Sequence, residues 1–278
     1  MIELPDPESR EKIADWVELQ LTFGNEIMSR DEVSAAIEAT SGSEPSDVLL
    51  SDIWRELERR QQLYNSSLYE VNGFSIESLS AAGQAITIAA YQTCLFLSLF
   101  GVHEQKSPML FERLSCCAVE HYLIGKAKVW GWRGGIPIAE RMEQLASDLN
   151  EHFSEPPPAH FKDRGVDVVG WKPFLDSRSG QLVVLTQCAA GHNWREKPPI
   201  PIGRWCQYIH WAARPICAFA VPCVVSPMDW REKSPDLGFF FDRARLINLI
   251  DETCNDNDLE NDLREWINEQ IGAKEQDE

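Results

Sequence analysis

The sequence predicts an α/β fold, a layered arrangement of sheet and helices that follows an all-helical N-terminal region. Three observations carry this expectation. Apolar residues recur at helical spacing as far as Phe153; after the proline run "SEPPPAH" (Ser154–His160) the period becomes that of strands; and the later segments read in the order helix, hairpin, helix, strand. At 278 residues, 44% hydrophobic and 25% charged, the chain has the composition of an ordinary globular protein, with room for one large domain or two smaller ones.

Residues 1–107 form the expected helical region. "SREKIADWVELQLTFGNEIM" (Ser9–Met28) and "SRDEVSAAIEAT" (Ser29–Thr40) have the helical period, and Ser29 three residues before Glu32 is a capping-box signal. "SGSEPSD" (Ser41–Asp47) is a loop. The period resumes in Val48–Tyr64 with Leu50, Ile53, Trp54 and Leu57, where the charged run Glu58, Arg59, Arg60 reads as a solvated face. The most apolar run, Ala85–Val102, contains Gln92, Thr93 and Ser98 and reads as a buried helix, not a membrane span. The N-terminus has neither the basic n-region nor the apolar h-region of a secretory signal.

Residues 108–250 read as the α/β domain. In Pro108–Trp132, Leu110, Phe111, Leu114, Cys117, Ala118 and Tyr122 share one helical face, and Gly125 supplies a stop. A helical insertion lies near 136–153. Two apolar strands, Val166–Phe174 and Gln181–Ala189, flank the turn-rich "LDSRSG", a hairpin within a sheet covered on both faces. Arg204–Ala213 reads as helix. Cys217–Ser226 reads as a further buried strand, in which Pro222 implies an edge or bulge, and Gly238–Asp251 starts as strand and continues as helix. The tail, 251–278, has Leu259, Leu263, Trp266, Ile267 and Ile271 near a helical period, and fits either an acidic helix for a partner or a frayed terminus.

The eight cysteines have no CxxC pair, and Cys94, Cys188, Cys217 and Cys223 lie in apolar segments, which points to reduced thiols in a cytoplasmic protein. Cys188 and His192 in "CAAGH" are a conceivable zinc pair, but a second pair at ligand spacing is missing. The net charge of −18 is unevenly spread: the tail has 11 acidic and 2 basic residues, residues 155–250 have 9 and 12, and residues 1–154 have 24 and 12. Only the hairpin-bearing segment is therefore net basic, a modest asset against nucleic acid. The chain lacks GxSxG, HExxH, a P-loop and GxGxxG.

One constellation remains. A metal-dependent phosphodiesterase needs carboxylates converging on a divalent cation, and a hairpin brings together an acid at the start of one strand and a polar group at the end of the next. Asp167, with Asp163, is the first contribution and Gln187 the second. An Asp amid apolar strand residues is expensive to bury without a partner. Trp171 and Trp194 flank this point and are candidate stacking platforms for unpaired bases, while Trp130 and Trp132 in "WGWRGG" read as a turn packed on aromatics.

Three pieces resemble the PD-(D/E)xK, or restriction-endonuclease-like, superfamily in its Mrr-like branch. "LFERLS" looks like its first core helix, with Glu112 near the metals. "DRGVDVVGW" looks like its G-(V/I)-D strand, with Asp167 as central ligand, and "VVLTQCA" like its (E/Q)-x-K strand, with Gln187 as ligand and the Cys188 main-chain carbonyl as a further contact. "AFAVPCVV" and "FFFDRARLI" look like uncharacterised relatives among bacterial defence and DNA-processing genes. The resemblance covers roughly Pro108 to Ile250. It implies a central mixed β-sheet flanked by helices, Mg²⁺ or Mn²⁺ as cofactor, DNA as substrate, and a protein partner subunit in an anti-phage system; homo-oligomerisation is left open, and neither a membrane nor a small-molecule cofactor is expected.

The departure is at Ala189, which stands where the family's lysine would be. Lys172 lies five residues after Asp167, an odd number that puts it on the other face. His192, as a base reaching back from the following element, and Lys197, beside Arg195 on that element, are the other candidates to replace it. Two functions stay open: an active nuclease, and a catalytically degenerate nuclease fold serving as scaffold or regulatory subunit.

Overall fold

The structure, a computed structural model, describes residues 2–65, 68–79, 85–102, 104, 106–131, 136–158, 161, 164–251 and 253–276. Asp163 and Trp132 lie outside them. Among the described residues the chain is α/β, with ten α-helices and a mixed five-stranded sheet flanked by helices.

Helix α1 (Arg10–Thr22) starts at Ser9, whose hydroxyl accepts from the Lys12 N–H. Helix α2 (Arg30–Ser41) has the capping box expected of Ser29 and Glu32, and α3 (Asp47–Leu63) starts at Ser46. The N-terminal region is not all-helical, however. Strands β1 (Ile27–Ser29), β2 (Tyr69–Asn72) and β3 (Ser75–Ser78) form an antiparallel sheet in the order β1-β3-β2, with a two-residue turn at Gly73 and Phe74. These strands have three or four residues each, too few for alternation to stand out in the sequence. Helix α4 (Ala85–Phe100) is buried along most of its length, and among the described residues no helix is long and apolar enough to cross a membrane.

Helix α5 (Lys106–Leu123) leads into β4 (Lys126–Val129), and α6 (Ile138–Asp148) and β5 (His152–Phe153) follow. The expected hairpin is β6 (Val168–Lys172) with β7 (Leu182–Cys188), in a register that sets Val168 opposite Thr186. After a short 3₁₀ helix (His192–Glu196) come α7 (Ile202–Tyr208), β8 (Ile209–His210) and β9 (Ile216–Ala220). The chain ends with α8 (Pro227–Leu237), β10 (Phe239–Phe241), α9 (Arg243–Leu249) and α10 (Leu259–Gln276). The main sheet has the order β10-β9-β7-β6-β4, parallel on the β9 side of β7 and antiparallel on the β6 side. Strand β9 is internal, and Pro222 falls beyond its end, where its missing N–H costs no ladder bond.

Alternate residues of β6 and β7 serve different cores. Val168 and Val184 face α4, α5 and α9, whereas Val169, Trp171, Val183 and Leu185 pack with Met142 of α6 and Trp205 of α7. Ala189, Trp194, Phe219, Val221, Leu237 and Phe240 form a third, aromatic cluster at the end of β7. Trp171 and Trp194 are core residues, 7% and 3% exposed, and so present no stacking face.

The first of these cores runs without a break from α1–α4 into α5, α9 and α10. At its centre lies a buried ion cluster. Arg60 of α3 reaches Asp15 at 2.6 Å, Glu18 at 3.1 Å and Glu56 at 2.7 Å; Arg243 of α9 reaches Asp15 at 2.7 Å, Glu18 at 3.0 Å and the Tyr64 hydroxyl at 2.8 Å. Arg60 is therefore no part of a solvated face: two guanidinium groups and three carboxylates satisfy one another inside the protein. Helix α10 packs Leu259, Leu263, Trp266 and Ile267 against α4 and α5, and Arg113 of α5 clamps Asp256 at 2.6 Å. The tail is thus a docked helix of the same chain. Cys117 and Cys254 are joined as a disulfide with Cα atoms 5.5 Å apart, so the expectation that every thiol is reduced fails for this pair.

Candidate metal centre

Asp167 immediately precedes β6 and is fixed from three sides. Its N–H donates to the Thr186 carbonyl (2.9 Å), and its own carbonyl accepts from Trp130 (2.6 Å) and Gly131 (3.0 Å) at the end of β4. Its carboxylate Oδ2 accepts from the Cys188 N–H at 2.7 Å, which ties the acid to the last residue of β7. The strand ends therefore hold this carboxylate in place through main-chain bonds.

Glu112 is half-buried on α5. Its Oε2 lies 2.9 Å from where a Cβ on Gly131 would sit, so any side chain at 131 would push it away. Gly131 thus touches both acids, the Asp167 carbonyl through its N–H and the Glu112 carboxylate through its bare Cα. The Cys188 thiol reports the same proximity. Burial raises its pKa well above the usual thiol range, the negative charges of Asp167 and Glu112 add to this, and a hydrogen bond with Ser115 only partly offsets them.

Gln187 is 7% exposed, and its Oε1 is buried with no hydrogen-bond partner among the described residues. Its Nε2 lies 2.9 Å from the Cβ position of Gly165, which has φ +79°, so both the backbone and the amide require glycine there. An orphaned buried acceptor is expensive, and a cation is one way to satisfy it. Glu112, Asp167, the Gln187 amide oxygen and a main-chain carbonyl make an all-oxygen donor set, the chemistry of Mg²⁺ or Mn²⁺ rather than zinc. Among the described residues no three of His, Cys, Asp and Glu gather as a metal cluster, so the fit depends on the amide of Gln187.

The candidates for the missing lysine do not gather at this point. Lys172 is exposed at the far end of β6 and donates to the Ile124 carbonyl. His192 turns towards α1 and α4: its Nε2 is 3.0 Å from the Ser98 carbonyl and 3.2 Å from Lys12 Nζ, and its ring lies over Gly101. It lines a cavity to which Glu112, Asp167 and Gln187 contribute nothing. The Cys188 sulfur, bonded to Ser115, points elsewhere, so the zinc pair does not form. Arg195 is engaged by Asp229 at 2.7 Å, and Lys197 is exposed beyond the 3₁₀ helix, its N–H donating to the Trp194 carbonyl. Ala189 is 3% exposed among Trp194, Phe219 and Phe240, a site with no room for an ammonium group.

Sequence reasoning missed Arg141. From α6 it donates to the carbonyls of Trp130 and Gly131, the latter at 3.0 Å, and stacks on the Trp130 ring at 4.5 Å, which brings a cation to the turn that touches both acids. Comparison with known proteins finds no matching family model, no matching curated protein and no matching solved structure.

Proposed function

We propose that the chain is a Mg²⁺- or Mn²⁺-dependent nuclease of the restriction-endonuclease-like kind that hydrolyses phosphodiester bonds in DNA. What supports this reading is that Gly131 lies against the Glu112 carboxylate and donates to the Asp167 main-chain carbonyl, while the Asp167 carboxylate accepts from the N–H of Cys188, the residue after Gln187 with its orphaned Oε1. Glu112, Asp167, Gln187 and the Cys188 carbonyl would hold the ion. When bound, the ion polarises a phosphate oxygen and acidifies a water. The chain's own part is to keep the Asp167 carboxylate oriented through the Cys188 N–H and to place the Arg141 guanidinium beside the turn, where it meets phosphate charge. With a net charge of −18 and an acidic N-terminal region, DNA binding calls for a partner subunit that supplies the basic surface, the arrangement of an anti-phage system.

A second reading, a degenerate nuclease fold acting as scaffold or regulatory subunit, is favoured by one observation, the aromatic packing around Ala189 that leaves no lysine at the centre. Incubation of the purified chain with plasmid and single-stranded DNA plus Mg²⁺ or Mn²⁺ separates the two. Nicking that disappears in Asp167→Ala and Glu112→Gln supports the nuclease. Nicking that survives Asp167→Ala removes this site assignment, and metal binding without cutting on any DNA selects the scaffold.

A further inference from the structure

A second site is independent of the metal centre. Between the N-terminal helices and the end of the sheet lies a cavity of about 640 Å³, the size that small-molecule sites occupy. Its walls come from the start of α1, from Leu97 and Ser98 of α4, from Ala190–Arg195 after β7, and from the loop into α8. Although the chain is strongly acidic, cations outnumber acids by one here: Arg10, Lys12, Arg60 and Arg195 against Glu11, Asp15 and Asp229, with His192 beside them.

The acids are already matched. Asp15 is bound by Arg60, Arg243 and the Ser98 hydroxyl, Asp229 by Arg195 and the Ser226 hydroxyl, and Glu11 by Arg10. Lys12 is different. Its ammonium contacts the Ser98 carbonyl and the His192 ring, and among the described residues no carboxylate lies within ion-pair distance of it. Burial lowers its pKa, and the negative charges of Asp15 and Asp6 beyond ion-pair distance only partly offset this. A half-buried cation facing a cavity without a carboxylate partner is met by an anion from outside. Two helices of 13 and 11 residues, α1 and α8, also begin in this wall at Ser9 and Ser226 and add their positive ends.

We propose that this cavity binds a small phosphorylated organic molecule, with its phosphate against Lys12, His192 and Arg195 and its organic part on the apolar wall of Leu97, Val224 and Met228. A bare anion would leave most of the volume and this wall unfilled. Several anionic oxygens suit a wall that offers an ammonium, an imidazole, a guanidinium and two helix starts better than one carboxylate does.

Isothermal titration of the full chain with inorganic phosphate, ribose 5-phosphate, AMP, ATP and adenosine tests this. At least one of the three phosphorylated organic ligands is expected to bind tenfold or more tightly than inorganic phosphate, and adenosine not at all. Lys12→Gln is expected to weaken that ligand at least tenfold. Arg195→Gln, at a side chain 53% exposed, is expected to do the same in a protein whose urea midpoint shows that it remains folded without the Asp229 ion pair, whereas Asp167→Ala leaves affinity unchanged. The proposal is overturned if none of the phosphorylated compounds binds at millimolar concentration, if adenosine or inorganic phosphate matches the best of them, or if affinity survives both cavity variants.

Discussion

The orphaned amide of Gln187 allows a test in which two effects of one substitution have opposite signs. Without metal, its Oε1 is a buried acceptor with no partner, a liability of about 1–3 kcal/mol. Gln187→Leu keeps the shape and removes this acceptor, so in chelator the variant should equal or exceed the wild type by about 1 kcal/mol. For a chain of this size that is roughly 2–4 °C in melting temperature. With metal the order reverses. At a magnesium concentration about a hundred times the dissociation constant, the wild type gains about 2.7 kcal/mol, and a variant that has lost a ligand gains little. Thermal melts of both proteins in EDTA and in excess Mg²⁺ should therefore cross. A variant that is destabilised in EDTA by more than about 1 kcal/mol shows that the amide is satisfied inside the protein, and equal metal increments show that Gln187 is no ligand. Either result refutes the reasoning.

Introducing a lysine at the position where the proposed nuclease reading calls for one should fail. Ala189→Lys places an ammonium among Trp194, Phe219 and Phe240, and urea melts are expected to show a loss of about 3 kcal/mol or more with no gain in DNA cutting. Arg243→Met leaves Asp15 and Glu18 short of a cation in the core, an expected loss of about 3–5 kcal/mol by the same measurement. Burial alone would raise the carboxyl groups of Glu56 and Asp15, but Arg59 and Arg60 hold Glu56 at about 2, and Arg243 and Arg60 hold Asp15 lower still. Both folded values lie below the unfolded ones, so the stability they confer is complete above pH ~4.5 and drains as pH falls through about 4 towards 2. Urea midpoints that stay flat over that interval would show that the cluster is not ionised as drawn.

What could be read from the sequence was local. The β6–β7 hairpin followed from two apolar runs around a turn-rich loop, the α2 cap from Ser29 and Glu32, and the tail helix from the spacing of Leu259, Leu263, Trp266 and Ile267. Asp167 and Gln187 stood out because each is a polar residue in an apolar strand, and the ends of those strands are tied together by the bond from the Cys188 N–H to the Asp167 carboxylate. What stayed hidden depends on contacts between distant segments. Arg60 and Arg243 are separated by 183 positions, and neither betrays in its own neighbourhood that both converge on Asp15. The β2–β3 hairpin, which turns at Gly73 and Phe74, stayed hidden because its strands are so short.

The direction of His192 shows how such non-local contacts decide chemistry. Beyond Cys188 the chain leaves β7 and turns at Gly191 into a 3₁₀ helix, and Trp194 is drawn into the aromatic cluster with Phe219 and Phe240. The burial that removes room for a lysine at 189 also turns the His192 ring to the Ser98 carbonyl, 94 residues away in sequence, and to Lys12. One packing event therefore deprives the metal centre of a basic side chain and supplies one to the cavity. If the cluster is the cause, Trp194→Ala, which opens it, should disturb phosphate-ester binding in the cavity and leave the magnesium-dependent rise in melting temperature intact. Loss of both together would place the two sites in a single unit.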